Sequence, residues 1–106
     1  MIEQQTIRQI ADTILGATPQ GTKVILFGSY ARGDARDHSD VDLLVVEPEL
    51  GSRVKETGRL LRLLRPLRVS TDLIVTTKQW FDYWKDTPNT LSFEVNKEGK
   101  VLGEVS

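Results

Sequence analysis

Apolar residues recur at Ile7, Ile10, Ala11 and Ile14, the three- and four-residue spacing of a helix that buries one side. Residues 3–15 are therefore predicted helical, ending near Gly16. The period then changes. Lys23–Phe27 (KVILF) is a short run of branched and aromatic side chains closed by Gly28-Ser29, and residues 41–46 (VDLLVV) form a second run stopped by Glu47-Pro48. Both read as buried strands. Helical spacing returns over 52–65, with Val54, Leu60, Leu61, Leu63 and Leu64 on one half of the wheel. Lys55, Arg59 and Arg62 take the other half, and Pro66 terminates the helix. Residues 69–76 predict a third strand, 77–86 and 88–97 two helical pieces broken at Pro88, and 99–105 a short terminal strand. This alternation predicts an α/β (α+β) fold: a small mixed sheet of three to four strands with helices covering one face, residues 1–106 forming a single domain.

Charge and composition narrow the chemistry. The 14 Lys and Arg nearly cancel 15 Asp and Glu, and a net charge of −1 argues against a dedicated nucleic-acid or membrane-surface binder. The absence of cysteine excludes disulfides, thiolate metal sites and thiol nucleophiles, and fits a reducing compartment, the cytoplasm. A single histidine, His38, excludes a multi-histidine metal centre and reads as a loop residue. The polar start MIEQQTIRQI is unlike a secretion signal, and no apolar run reaches membrane-spanning length. Any reaction on this chain is expected to run on carboxylates.

Asp40 and Asp42 stand at the start of an otherwise apolar strand, where Asp has poor propensity and buried charge is costly. Positions two apart on a strand share a face, with Cα atoms about 6.6–7 Å apart. Carboxylates held that close repel one another unless a cation lies between them, and a hard ion such as Mg²⁺ takes oxygen ligands. Asp72 repeats the anomaly inside the third strand; if the second and third strands pair, all three acids converge. Asp40 alone reads equally well as a turn residue. Glu47 counts onto the opposite face, and Asp34 and Asp37 fit ordinary loop positions. Gly28-Ser29, directly after the first strand, lets backbone approach a ligand closely, and one helical turn at Tyr30-Ala31-Arg32 would aim its N–H groups at a phosphate.

Gly28-Ser29, ten residues, then Asp40-Val41-Asp42, within the string GSYARGDARDHSDVDLLVV, resembles the motif of the DNA polymerase β-like nucleotidyltransferase superfamily and its minimal nucleotidyltransferase (MNT) branch. The tight part of the match covers residues 27–46; the element order and Asp72 extend it loosely. The resemblance implies a polymerase β-like core and nucleotidyl transfer from a nucleoside triphosphate, ATP. Gly28, Ser29 and Arg32, with Asp40 and Asp42, would bind the nucleotide. Asp40, Asp42 and Asp72 would hold two Mg²⁺, and Asp72 would act as general base. It further implies the antitoxin half of a pair with a HEPN-domain toxin, silenced when AMP is attached to its tyrosine. Two other readings stay open: a non-catalytic antitoxin that occludes its partner, and transfer to a small molecule.

Three further features carry two readings each. Trp80, Phe81, Tyr83 and Trp84 fit a helix covering the sheet, with at least one ring left exposed for a partner or a nucleobase. Residues 53–68 hold six basic side chains against Glu56 alone, a net +5 that fits a solvated helix face or a dock for an acidic partner. Arg32 and Arg36 could reach triphosphate oxygens or be plain loop charges, and Ser39 reads as a turn hydroxyl rather than a nucleophile.

Overall fold

The computed structural model describes residues 1–106. Its elements are α1 (Gln4–Leu15), β1 (Lys23–Phe27), α2 (Ser29–Arg32), β2 (Val41–Glu47) and α3 (Arg53–Leu64). A 3₁₀ turn (Arg65–Leu67) leads to β3 (Thr71–Thr77), α4 (Lys78–Trp84), α5 (Leu91–Glu98) and β4 (Lys100–Glu104). Capping hydroxyls mark the helix starts that the sequence period only approximated. Ser52 accepts from the Lys55 N–H, Thr77 from Trp80 and Thr90 from Phe93, at 3.2, 3.1 and 3.2 Å.

The sheet runs β3-β2-β1-β4, with β2 and β3 parallel through the α3 crossover and the other pairs antiparallel. Strand alternation then sorts side chains onto two faces. Val24 and Leu26 of β1, Val41, Leu43 and Val45 of β2 and Leu73 and Val75 of β3 pack with Ile10 and Ile14 of α1 and Leu60 and Leu64 of α3 in one large core. Ile25, Leu44 and Val46 point the other way and meet Phe81 of α4 and Val95 of α5 in a smaller cluster. The main helical layer thus lies on one face, as predicted. The structure adds a second, smaller layer on the opposite face, and this layer leaves the Phe27–Asp42–Asp72 end of the sheet open. No helix is long and apolar enough to cross a membrane.

The α3 face is narrower than its wheel predicts. Only Leu60 and Leu64 are buried, whereas Val54, Leu61 and Leu63 are 81%, 40% and 42% exposed. The helix crosses beside β3, an edge strand, so one i, i+4 ridge reaches the core and its flanks overhang solvent.

Glu47 faces α3, opposite the Asp pair, as the strand count required, and it is buried. Its carboxyl hydrogen-bonds Glu56, which Arg59 clamps with two contacts of 2.8 Å while also donating to the Ala17 carbonyl at 2.8 Å. Burial first, then Glu56, push the Glu47 carboxyl up to about 8, and hydrogen bonds from Arg59 and Glu47 pull Glu56 down to about 2. Folding therefore holds a proton on Glu47. Its contribution is complete below the ordinary Glu range and lost as pH rises through that range towards 8, while that of Glu56 is lost as pH falls from the ordinary range towards 2. The melting temperature is expected to drop between pH 5 and 9, and Glu47→Gln, an amide that donates at every pH, is expected to flatten much of that drop. Thermal denaturation across pH checks it; an unchanged profile in the variant would acquit Glu47.

Candidate active site

Three sequence features converge on the open end of the second sheet face. The β2–β3 register sets Asp42 directly beside Asp72, and the β1–β2 register sets Phe27, the residue before Gly28, beside Asp42. Paired residues of adjacent strands share a face, so the two carboxylates lie together between the glycine turn and the sheet edge. Asp42 is half-buried and Asp72 exposed. Desolvation first, then the charges of Asp72 and Asp40, raise the Asp42 carboxyl above the usual Asp range, with Arg32 opposing weakly. These acids repel one another in the folded chain, the condition a bound cation relieves.

Asp40 precedes β2 and accepts a hydrogen bond from Ser70 Oγ, and the Val41 N–H donates to the Ser70 carbonyl at 3.0 Å. The third acid is thereby tied to the start of β3. As the side chains stand, no three acids close round a common point, because Asp40 is engaged by Ser70 while Asp42 and Asp72 contact each other. The donor set still fits Mg²⁺ in kind: carboxylate oxygens only, two of the acids in register on adjacent strands and the third, Asp40, two residues before Asp42. Ser70 escaped the sequence reading; its one signal was a hydroxyl directly before a strand that carries an acid.

Gly28 explains why the turn needs glycine. Its φ of 73° and ψ of −154° fall in a region that is essentially glycine-only. A Cβ there would strike the Asp42 carboxylate, its Cγ only 3.0 Å away. Backbone and carboxylate are packed against each other by design of the turn. The single turn of α2 starts at Ser29; Ala31 and Arg32 donate to the Gly28 carbonyl at 3.1 and 3.0 Å, which leaves the leading Ser29 and Tyr30 N–H groups outside the helix's own bonding.

Arg32 extends from this turn, but it is held by Asp34 at 3.3 Å and by Glu98 of α5 at 3.2 Å. Reaching a triphosphate would require it to exchange those partners. His38 is an exposed loop residue, and Ser39 Oγ accepts from the Arg36 N–H at 2.8 Å, the turn role read from sequence. Asp37 lies 3.6 Å from the N-terminal amine, away from the acid pair. Of the four clustered aromatics, Phe81 is buried, while Trp80 and Tyr83 are exposed.

Comparison with known proteins bears on this arrangement. Residues 6–102 match the family model described as a nucleotidyltransferase domain. A candidate protein adenylyltransferase of Methanocaldococcus jannaschii, MJ0141, is 37% identical over 54 residues, 51% of this chain and 54% of that relative. A second from the same archaeon, MJ1305, is 54% identical over 39 residues, 37% of this chain and 26% of the relative. The chain thus matches about half or less of these relatives' length. Among solved structures, a candidate nucleotidyltransferase from Sulfolobus solfataricus superposes with a TM-score of 0.66 at 22% identity, covering 94% of this chain and 78% of that one. A chain from the complex of tri-AMPylated Shewanella oneidensis HEPN toxin with MNT antitoxin gives 0.65 at 19% identity, covering 98% and 74%. These two likenesses show a shared fold. With the family model spanning most of the chain, the protein belongs to the nucleotidyltransferase domain family.

Proposed function

We propose that the protein is a Mg²⁺-dependent adenylyltransferase that moves AMP from ATP to a hydroxyl, a tyrosine side chain, of a HEPN-type partner protein and thereby acts as its antitoxin in the cytoplasm. One observation carries the reading: Asp42 and Asp72 stand in register on parallel strands, with Asp42 packed under the glycine of a phosphate-type turn. The family model supports nucleotidyl transfer, and the names of the archaeal relatives and of the toxin–antitoxin neighbours support protein as acceptor.

In this mechanism Gly28 brings backbone close to the triphosphate, and the Ser29 hydroxyl and the leading N–H groups of α2 bind its oxygens. Asp40, Asp42 and Asp72 would hold two Mg²⁺, and Arg32 would add a cationic contact after leaving Asp34 and Glu98. Magnesium, when bound, supplies charge neutralisation for the attacking and leaving oxygens. Asp72, the more exposed member of the pair, accepts the proton of the acceptor hydroxyl. The hydroxyl oxygen then bonds to the α-phosphorus, the bond to the β-phosphate oxygen breaks, and pyrophosphate leaves with its electron pair.

The test is to mix the protein, its HEPN-type partner, ATP and Mg²⁺ and to measure the intact mass of the partner. A gain of one or more AMP units is expected. A partner inhibited at unchanged mass would favour occlusion, and AMP appearing on small alcohols or antibiotics without any protein acceptor would favour a small-molecule substrate.

A further inference from the structure

The two edges of the sheet are guarded unequally. At one end, β4 is five residues long, carries Lys100 and Glu104, and breaks register against β1 between Val24 and Ile25. Short length, charge and an irregular register all discourage a further strand from pairing. At the other end, β3 runs seven residues (TDLIVTT) with Asp72 its only charge and no proline, and β2 pairs with one side of it alone. Beside this free edge lies a groove of about 620 Å³, bordered by Val54, Thr57, Gly58 and Leu61 of α3 and by residues 73–75 of β3. Leu73 and Val75 keep their side chains in the core, at 8% and 1% exposure, so the strand offers the groove its backbone edge. Val54 and Leu61 overhang it as exposed apolar side chains, with the small Thr57 and Gly58 between them.

We propose that this edge and groove form a docking site for an extended, acidic segment of a partner protein, which joins the sheet as a further strand beside β3. Such a strand pairs with the free backbone N–H and C=O groups of the edge. Every second side chain on it points to the α3 side of the sheet, where Val54 and Leu61 meet it, so those positions take apolar residues. Charge selects the rest. Residues 53–68 hold six basic side chains against Glu56 alone, and Glu56 pairs with Arg59. Arg53, Lys55, Arg62, Arg65 and Arg68 are exposed and make no ion pair within the chain. Free cations around an apolar groove favour Asp and Glu on the docked segment. The same charge disfavours a second copy of this chain, because pairing β3 with β3 about a twofold axis sets two α3 helices, each in a +5 segment, side by side. RNA fits less well, since neither α3 nor β3 carries an aromatic side chain on which a base could stack. Docking here needs neither nucleotide nor metal, so its failure leaves the transfer reading intact.

Amide chemical shifts of the isotope-labelled protein report docking residue by residue. Three probes would be titrated: a peptide of alternating Glu and Val long enough to span β3, its Lys-Val counterpart, and a single-stranded oligouridylate. The expected result is that the Glu-Val peptide moves the amides of residues 71–77 and 53–61, less so as salt is added, while the Lys-Val peptide leaves them in place. Leu61→Asp would weaken the acidic peptide by about tenfold or more, by setting a like charge against it. Because Leu61 is exposed, this variant should fold normally, and its melting temperature checks that. An acidic peptide that leaves β3 unmoved, or two peptides that move it alike, would overturn the proposal. So would shifts along α3 with the oligouridylate alone, which would make the basic face an RNA surface. A dimer of the free protein that Leu61→Asp dissociates would overturn it too, in favour of a second copy.

Discussion

Asp42→Asn is expected to abolish AMP transfer and at the same time to raise the melting temperature of the metal-free protein. The two effects have one cause. Asp42 is half-buried beside Asp72 and near Asp40, and burial together with those charges lifts its carboxyl above the usual Asp range. In metal-free buffer its ionisation therefore opposes folding: the contribution is complete at low pH and lost as pH rises through the raised value. Asparagine keeps the shape and removes the charge, so the variant should melt about 4–8 °C higher for each kcal/mol of repulsion relieved, and only above the Asp range. Catalysis moves the other way. The metal contribution to charge stabilisation in phosphoryl-type transfer is several kcal/mol, so transfer should fall on the order of 10³-fold. Transfer of labelled AMP and thermal denaturation at pH 4 and 8 measure both halves. A variant as active as wild type would remove Asp42 from the mechanism.

Gly28→Ala should harm stability and activity together, and Gly33→Ala separates the two causes. Both glycines have positive φ, 73° and 85°. At Gly28 the new Cβ would also collide with the Asp42 carboxylate, whereas at Gly33 nothing lies within 4 Å of it. Strain alone costs about 1–3 kcal/mol, a fall of roughly 5–20 °C in melting temperature for a domain this small. The alanine at 28 must in addition push Asp42 out of line with Asp72, and a displacement of about 1 Å at a reacting centre can cost ~10²-fold in rate. Gly33→Ala is expected to lose stability and keep its rate. Equal rate losses in the two variants would mean that the closeness of Gly28 to Asp42 is incidental.

Much of this site was legible because strands count in twos. Asp42 and Glu47 had to leave on opposite faces, and the single turn after Gly28-Ser29 followed from its position between two strands; the structure has both, whereas Asp40 lies before β2 with its carboxylate bonded to Ser70. The register of Asp72 against Asp42 depended on the strands pairing through α3 without a slip, which local pattern favours but does not dictate. What could not be read locally depends on neighbours distant in sequence. The exposure of Val54, Leu61 and Leu63 reflects the edge position of β3 beneath α3. The ties of Asp40 to Ser70 and of Arg32 to Glu98 join side chains 30 and 66 residues apart. The second helical layer arises because α4 and α5 pack on the opposite face, a choice the helical period of residues 77–97 leaves open.

The central claim is that Asp40, Asp42 and Asp72 act together as a divalent-cation site for a nucleoside triphosphate. Calorimetric titration of ATP into the wild type and into a variant with all three acids changed to asparagine, each with Mg²⁺ and again with excess chelator, addresses it directly. Saturable heat only in the wild type with Mg²⁺ is the predicted result. Binding of equal strength in the triple variant, or in chelator, would contradict it.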